Sequence, residues 1–286
     1  MMNHTPKNFL SSFFLKVIAI ITMTIDHLAA FLYYFGIFTD ESVLVPLRIV
    51  GRIAFPIYAF LALEGALHTK NIKKYLIRLA ALSVVILIPS MILELGYGES
   101  AINGNIFFTL IAGIMLVYFF RKPNRKIWYF TLPAIYLIVY DILFSYMRIA
   151  IPQFLEPMYG IYGLATILGF YLGRIVATKY VRRSLKRYNI DNPAFTETRE
   201  FQNFANIIEC VFLLFIQLVC YIIVAIDPQL DVLNQAVQSY ALLAAIPLLF
   251  YSGKIGYNPK WFKITYYLYY PTHIAIIALV MYLIAH

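Results

Sequence analysis

F-F-L-K-V-I-A-I-I-T-M-T-I-D-H-L-A-A-F-L-Y-Y-F-G-I-F, residues Phe13–Phe38, is the stretch that decides the fold class. A helix needs about 20 mostly apolar residues to cross a bilayer, and this run exceeds that. It nevertheless carries Lys16, Asp26 and His27. Ionisable groups are costly in hydrocarbon, so Asp26 and His27 must face protein or a wet cavity. Other helices must therefore surround this one.

The remainder of the chain supplies them. Of the 286 residues, 62% are hydrophobic and only 13% charged, and the mean hydropathy is +0.76. A soluble domain averages roughly 45–50% apolar and about 25% charged. This composition excludes a soluble enzyme, a secreted disulfide scaffold and a disordered chain. Hydropathy and helix breakers predict further spans at Leu47–Leu67, Tyr75–Leu95, Asn105–Phe120, Ile127–Tyr146, Tyr159–Thr178, Asn206–Ile226, Val232–Tyr251 and Ile264–Ala285. The fold expected is an all-α, polytopic membrane helical bundle of about nine transmembrane helices, in one integral membrane domain over residues 1–286.

Charge sets the expected orientation. With the N-terminus cytoplasmic, carrying Lys7 and Lys16, every basic residue except Arg48, Arg52 and Arg148 falls on the cytoplasmic side. The outer loops hold Asp40, Glu41, Glu99, Glu156, Asp227 and Asp231. This is the positive-inside pattern, with the C-terminus outside, and it accounts for the net charge of +9 without nucleic acid. The largest soluble piece expected is Lys179–Asn203, a basic polar cytoplasmic loop, or a surface helix on anionic lipid. Cys210 and Cys220 stand about 15 Å apart on one predicted helix and cannot bridge each other.

The informative residues are polar groups inside the spans. His27 lies roughly 21 Å above Phe13, in the outer half of the membrane. It is about 100° around the helix from Asp26, so whatever orients the imidazole must come from another span. Next comes G-R-I-A-F-P-I-Y-A-F-L-A-L-E-G, Gly51–Gly65. Arg52 sits near the depth of His27 and can pair with Asp26. Pro56 cannot donate a backbone hydrogen bond and so frees the Arg52 carbonyl. Glu64 lies about 18 Å lower, with His68 on the same helical face, either as an interfacial pair or as a dyad. Asn105 and Thr109 share a face, and Asn105 suits either a helix N-cap or a substrate contact. In the last span, Y-Y-L-Y-Y-P-T-H-I (Tyr266–Ile274) sets His273 just past Pro271.

There is no H-E-x-x-H metal motif, no Walker loop, no dinucleotide fingerprint and no G-x-S-x-G elbow. The intramembrane histidines, Arg52 and the cytoplasmic basic residues suit acyl transfer, with an imidazole as general base and cationic or polar donors for a developing oxyanion. They suit a proton-coupled transporter or flippase equally. A non-catalytic assembly partner is a third class.

Taken in order, I-D-H-L (Ile25–Leu28), Gly51–Gly65, Y-L-I-R-L (Tyr75–Leu79), N-I-F-F-T-L (Asn105–Leu110), Y-G-I-Y-G (Tyr159–Gly163), F-Y-S-G-K-I-G (Phe250–Gly256) and Tyr266–Ile274 resemble the TraX family. These are membrane proteins associated with N-terminal acetylation of conjugative pilin. The chain is similar more broadly to transmembrane acyltransferases. It departs from the family at Met158, where an acid is usual, and at Ser252, where Asn is usual.

The resemblance implies a multi-pass protein of the cytoplasmic membrane. It would move an acetyl group from cytoplasmic acetyl-CoA, a co-substrate, to a hydroxyl or amine acceptor such as a pilin-like protein N-terminus or a cell-surface glycan, without a metal. On that reading His27 is the general base, Asp26 and Arg52 organise it, and His273 is a second acid–base group. Arg78, Lys70 and Lys73 are placed for CoA phosphates. Asn105, Thr109, Glu64 and Tyr270 are candidate substrate contacts.

Overall fold

The computed structural model describes residues 9–97, 104–122, 125–147, 149, 151–226 and 235–285. Lys7, Glu99, Arg148, Asp227 and Asp231, all used in the orientation argument, lie outside the described residues. So does the start of the expected eighth span. Among the described residues the fold is all-helical, with one isolated parallel bridge between Leu10 and Tyr251. The helices are α1 (Ser12–Tyr34), α2 (Glu41–Gly51), α3 (Ala54–His68), α4 (Ile72–Tyr97), α5 (Ile106–Arg121), α6 (Leu132–Asp141), α7 (Gly160–Arg187), α8 (Arg199–Ile226), α9 (Gln235–Gln238), α10 (Ala245–Leu249) and α11 (Lys260–Ala285).

Seven segments are long and apolar enough to cross a membrane, against the nine spans expected. They are Ser12–Tyr34, Glu41–His68, Ile72–Gly96, Ile127–Phe144, Gln153–Arg187, Arg199–Ile226 and Lys260–Ile284. The two short ones are Ile106–Arg121 and Ser239–Leu249. At 1.5 Å per residue, α5 is about 24 Å long and the 239–249 segment about 16 Å, both short of a ~30 Å core. The latter is broken into a 3₁₀ turn and the short α10, which contains Pro247 and cannot run on as one regular helix.

The second span is interrupted at Arg52–Ile53, between α2 and α3. Pro56 explains the position, because it has no N–H for the Arg52 carbonyl. The expected Lys179–Asn203 loop is largely absent. Helix α7 continues to Arg187 and α8 begins at Arg199, so two long helices project past the apolar zone and only residues 188–198, with a 3₁₀ turn at Phe195–Glu197, connect them. This is the most extensive helix pair in the fold.

Burial follows helical periodicity. Along α1 the inward positions are Leu15, Ala19, Thr22, Met23, Asp26 and Ala29. Along α8 they are Phe201, Gln202, Ala205, Asn206, Glu209, Cys210, Leu213 and Gln217. The opposite face of α8 presents Ile207, Val211, Leu214, Phe215, Leu218 and Ile222, as a lipid-facing surface does. Phe55, Ile57, Phe60, Leu63, Ile114, Ile167 and Phe170 fill the core between α3, α5 and α7.

Two close approaches set the geometry around the polar residues. Gly51, ending α2, lies against the Asp26 side chain of α1, and a Cβ there would collide with it. At the start of α7, Tyr159 and Gly160 both have positive φ, +69° and +34°. Asp141 from α6 accepts the Ile161 N–H at 2.6 Å and caps α7. At the opposite end Leu10 and Ser12 bond to the 250–254 segment, tying the start of α1 to the approach to α11.

Substituting Gly51→Val should destabilise the protein by about 1–3 kcal/mol, since overpacking a closed contact has that typical cost. Gly96→Ala, inside α4 where a Cβ meets nothing within 4 Å, should raise stability by about 0.4–1 kcal/mol. Thermal unfolding followed by gel filtration in one detergent checks both.

Candidate functional site

The α1–α2 approach places Asp26 beside two guanidinium groups. Arg52 Nη2 donates to both Asp26 oxygens, at 2.9 and 3.2 Å. Arg48 Nη1 stands 3.1 Å from Asp26 Oδ1 and donates to the Asp26 carbonyl at 3.2 Å. Arg52 uses its remaining reach on the Arg48 carbonyl and on Gln238 Oε1. Gln238 in turn donates to the Tyr162 hydroxyl, which also accepts from Gln217. Asp26, Arg52 and Gln238 are all buried, and each has a protein partner. That is the condition under which such groups persist inside a bundle.

The group that orients His27 comes from the other end of the chain. His27 Nδ1 lies 2.7 Å from Nε2 of His273 on α11, with the rings stacked at 4.9 Å. His273 Nδ1 is 2.7 Å from the Tyr269 carbonyl oxygen. A carbonyl can only accept, so His273 Nδ1 carries the proton, and in the neutral ring Nε2 is an acceptor. His27 Nδ1 then donates to it, which leaves His27 Nε2 with an unshared lone pair. Among the described residues Nε2 makes no hydrogen bond. The Tyr269 ring stacks on His273 at 4.8 Å, and its hydroxyl lies 2.6 Å from Thr24 Oγ1.

His27 and Asp26 line a cavity of about 20 Å³, with Phe55, Tyr58, Tyr159 and Tyr270 among its walls. Tyr58, Ile106 and Tyr270 also line a larger cavity of about 290 Å³. That cavity runs toward Lys16, Arg78, Asn258 and Lys263. Arg78 and Lys263 are exposed, so it reaches the surface at this end. Lys16 sits over the Tyr266 ring at 5.1 Å. Lys16 and His27 fall on one face of α1, three turns and roughly 16 Å apart. A single helix thus connects the cationic mouth to the imidazole. At the mouth, Asn258 Oδ1 is buried without a hydrogen-bond partner.

The other sequence candidates divide. Tyr270 stands at the junction of the two cavities, edge-on to His27 and His273. Arg78 lines the mouth, whereas Lys70 and Lys73 are exposed and do not line it. Asn105 caps α5 by accepting the Phe107 N–H at 3.0 Å, and its amide donates to Ser83. Thr109 donates to the Met158 carbonyl. Both side chains are therefore engaged in holding α4, α5 and the start of α7 together.

Glu64 belongs to a separate cluster. Arg174 Nη2 donates to Glu64 at 2.7 Å, and Arg174 Nε donates to Glu209 at 2.5 Å. Tyr251 donates to the second Glu64 oxygen at 3.5 Å. His68 is largely exposed, 3.8 Å from the Glu64 carboxylate and 2.9 Å from its carbonyl oxygen. The triad joins α3, α7 and α8. Sequence reasoning counted Arg174 as loop charge and passed over Glu209, although opposite charges inside two adjacent spans were the available signal. Lys16 was likewise read only for topology, though its three-turn spacing from His27 was visible.

Fold and site together define a multi-pass helical membrane protein with a hydrogen-bonded histidine pair beside a small cavity that shares walls with a larger, cation-lined one. A family model described as TraX protein matches residues 11–217, and the chain belongs to the TraX family. It is also similar to a probable fimbrial assembly protein FimC, serogroup H1, from Dichelobacter nodosus, at 43% identity over 75 residues. That match covers 26% of this chain and 29% of the relative. No solved structure matches the chain. Among the described residues no cluster of His, Cys, Asp and Glu could hold a metal ion.

Arg174→Ala would leave two buried carboxylates facing each other. It should cost about 3–5 kcal/mol of stability, the usual penalty for halving a buried ion pair. Combining Arg174→Met with Glu64→Gln and Glu209→Gln should recover most of the loss in a thermal unfolding assay.

Proposed function

We propose that this protein is an acetyl-CoA-dependent acetyltransferase of the cytoplasmic membrane, acting on a hydroxyl or amine acceptor. The observation that carries the reading is the chain Tyr269 C=O, His273, His27, ending in an unengaged Nε2 on a residue that lines a small cavity, whose walls Tyr58, Ile106 and Tyr270 also line a larger cavity with a cationic mouth. An imidazole held in one tautomer with one free lone pair is a general base.

The residues divide the work along the cavity. Lys16, Arg78 and Lys263 would hold phosphate groups at the mouth, which faces the cytoplasm in keeping with the basic charge at that end. The unpartnered Asn258 Oδ1 would accept an amide N–H from the bound arm. The aromatic wall of Tyr58, Tyr266, Tyr267 and Tyr270 would exclude water around it. A thioester supplies an activated acyl carbon. His27 Nε2 takes the proton of the attacking hydroxyl or amine as its oxygen or nitrogen bonds the acyl carbon, and returns it to the CoA sulfur as the C–S bond breaks; His273 receives the Nδ1–H hydrogen bond that steadies the imidazolium between the two steps. Tyr58, Tyr159 and Tyr270, on the wall of the small cavity, are the candidate donors for negative charge developing on the acyl oxygen. Asp26 and Arg52 hold α1 and α2 together and position His27, the neighbour of Asp26. The similarity to a probable fimbrial assembly protein favours a pilin-like acceptor, with a cell-surface glycan as the other candidate.

The test is CoA release by the purified protein in nanodiscs, with and without acceptors. His27→Ala should lower the rate by about 10²–10⁴-fold, the range for losing a general base, with membrane insertion unchanged. His273→Ala should also slow it, and His273→Gln, which can still accept from His27 Nδ1, should recover part of the rate. Full activity of His27→Ala would overturn the assignment of the base. Proton-coupled flux into liposomes without CoA release would assign the protein to transport instead.

A further inference from the structure

The charge around Asp26 does not balance. One carboxylate faces two guanidinium groups, and among the described residues no other carboxylate pairs with either. The two arginines are used differently. Arg52 is buried and spends Nε, Nη1 and Nη2 on the Arg48 carbonyl, Gln238 and Asp26. Arg48 spends only Nη1, on the carboxylate and carbonyl of Asp26. Its Nε and Nη2 make no hydrogen bond among the described residues, and its side chain is 34% exposed. Asp26 and Arg52 already form a neutral pair with two hydrogen bonds. Arg48 is therefore a net positive charge with two unused donors in a planar fork, the geometry that takes a carboxylate or phosphate.

Its place matters as much as its charge. Arg48 touches Asp26, and Asp26 lines the same small cavity as His27. The cationic mouth at Lys16, Arg78 and Lys263 opens from the other cavity. The site thus has two separate positive groups, Arg48 reaching it through Asp26 beside His27, and the cationic mouth of the larger cavity.

The geometry points to an acceptor that carries an anionic oxyacid group, carboxylate or phosphate, bound by Arg48 while its hydroxyl or amine reaches His27. This rests on the acetyl-transfer reading for the second half only, because anion binding at Arg48 is measurable without turnover. No new covalent step is involved. Arg48 selects and orients the molecule from which His27 removes a proton.

The experiment uses the full chain in phosphatidylcholine nanodiscs and two matched probe pairs, glucuronate against glucose and glycerol 3-phosphate against glycerol. Thermal stabilisation by at least one anionic member, absent with its neutral partner, is expected for the wild-type protein, should be weakened in Arg48→Lys, which keeps the charge but not the fork, and should be lost in Arg48→Met. With acetyl-CoA present, the anionic member should show a KM lower by about tenfold or more, as a charge-assisted hydrogen bond implies, and Arg48→Met should erase that preference. Stabilisation that appears without CoA release would keep the anion site and overturn only the transferase reading. Equal behaviour of charged and neutral probes, or a preference that survives Arg48→Met, would overturn the proposal. So would Arg48-dependent stabilisation produced only by replacing phosphatidylcholine with phosphatidylglycerol, which would make the anion a lipid headgroup.

Discussion

The contact between Asp26 and Arg52 is the constraint from which the rest of the site follows. Inside a bilayer no water satisfies a charged side chain, so each one must be completed by protein. A carboxylate on α1 and a guanidinium on the second span, 2.9 Å apart, do this only if the two helices meet in one register. Gly51 permits that approach because it presents no Cβ to Asp26. Once α1 is fixed, His27 is aimed about 100° away from the ion pair, toward α11. His273 meets it there, and its backbone partner at Tyr269 decides which nitrogen bears the proton.

A second complete cluster lies lower in the bundle. Glu64, Arg174 and Glu209 bind α3 to the long α7–α8 pair, and Tyr251 links Glu64 to the 250–256 segment that the start of α1 grips. A larger aromatic-walled cavity shares Tyr58, Ile106 and Tyr270 with the small cavity at His27 and extends to the cationic mouth. Helices carrying both polar clusters are thereby locked, while the space between α1, α3, α4 and α11 stays open. Charge therefore lies at the open end of the larger cavity and an imidazole on the wall of the smaller one.

Much of this was legible in the sequence. The apolar runs gave the membrane-helical class, and the cost of buried charge singled out Asp26, His27, Arg52 and His273 before any coordinates. Helix geometry showed that Asp26 could not orient His27, so that a partner from another span was needed. The identity of that partner was not legible, because nothing local links residue 27 to residue 273. Span counting failed where length misleads. The stretch ending at Tyr251 is apolar enough to span, but Pro247 and 3₁₀ geometry cut it short. Glu64 was tied to His68 by i,i+4 spacing, yet its main partner is Arg174, a contact between helices that spacing cannot reveal. Lys70 and Lys73 illustrate the opposite error, since basic character alone does not say which lysines face a cavity. Lys16, from the middle of an apolar run, does.

His273 holds His27 with Nδ1 protonated and Nε2 free. The most direct measurement is nitrogen-15 NMR of ring-labelled histidine in the full protein in nanodiscs, with His27 assigned by comparison with His27→Ala. A neutral His27 whose Nε2 shows the shift of an unprotonated ring nitrogen, and which loses that state in His273→Ala, is the result expected. A His27 protonated at Nε2, or a tautomer indifferent to His273, would contradict it.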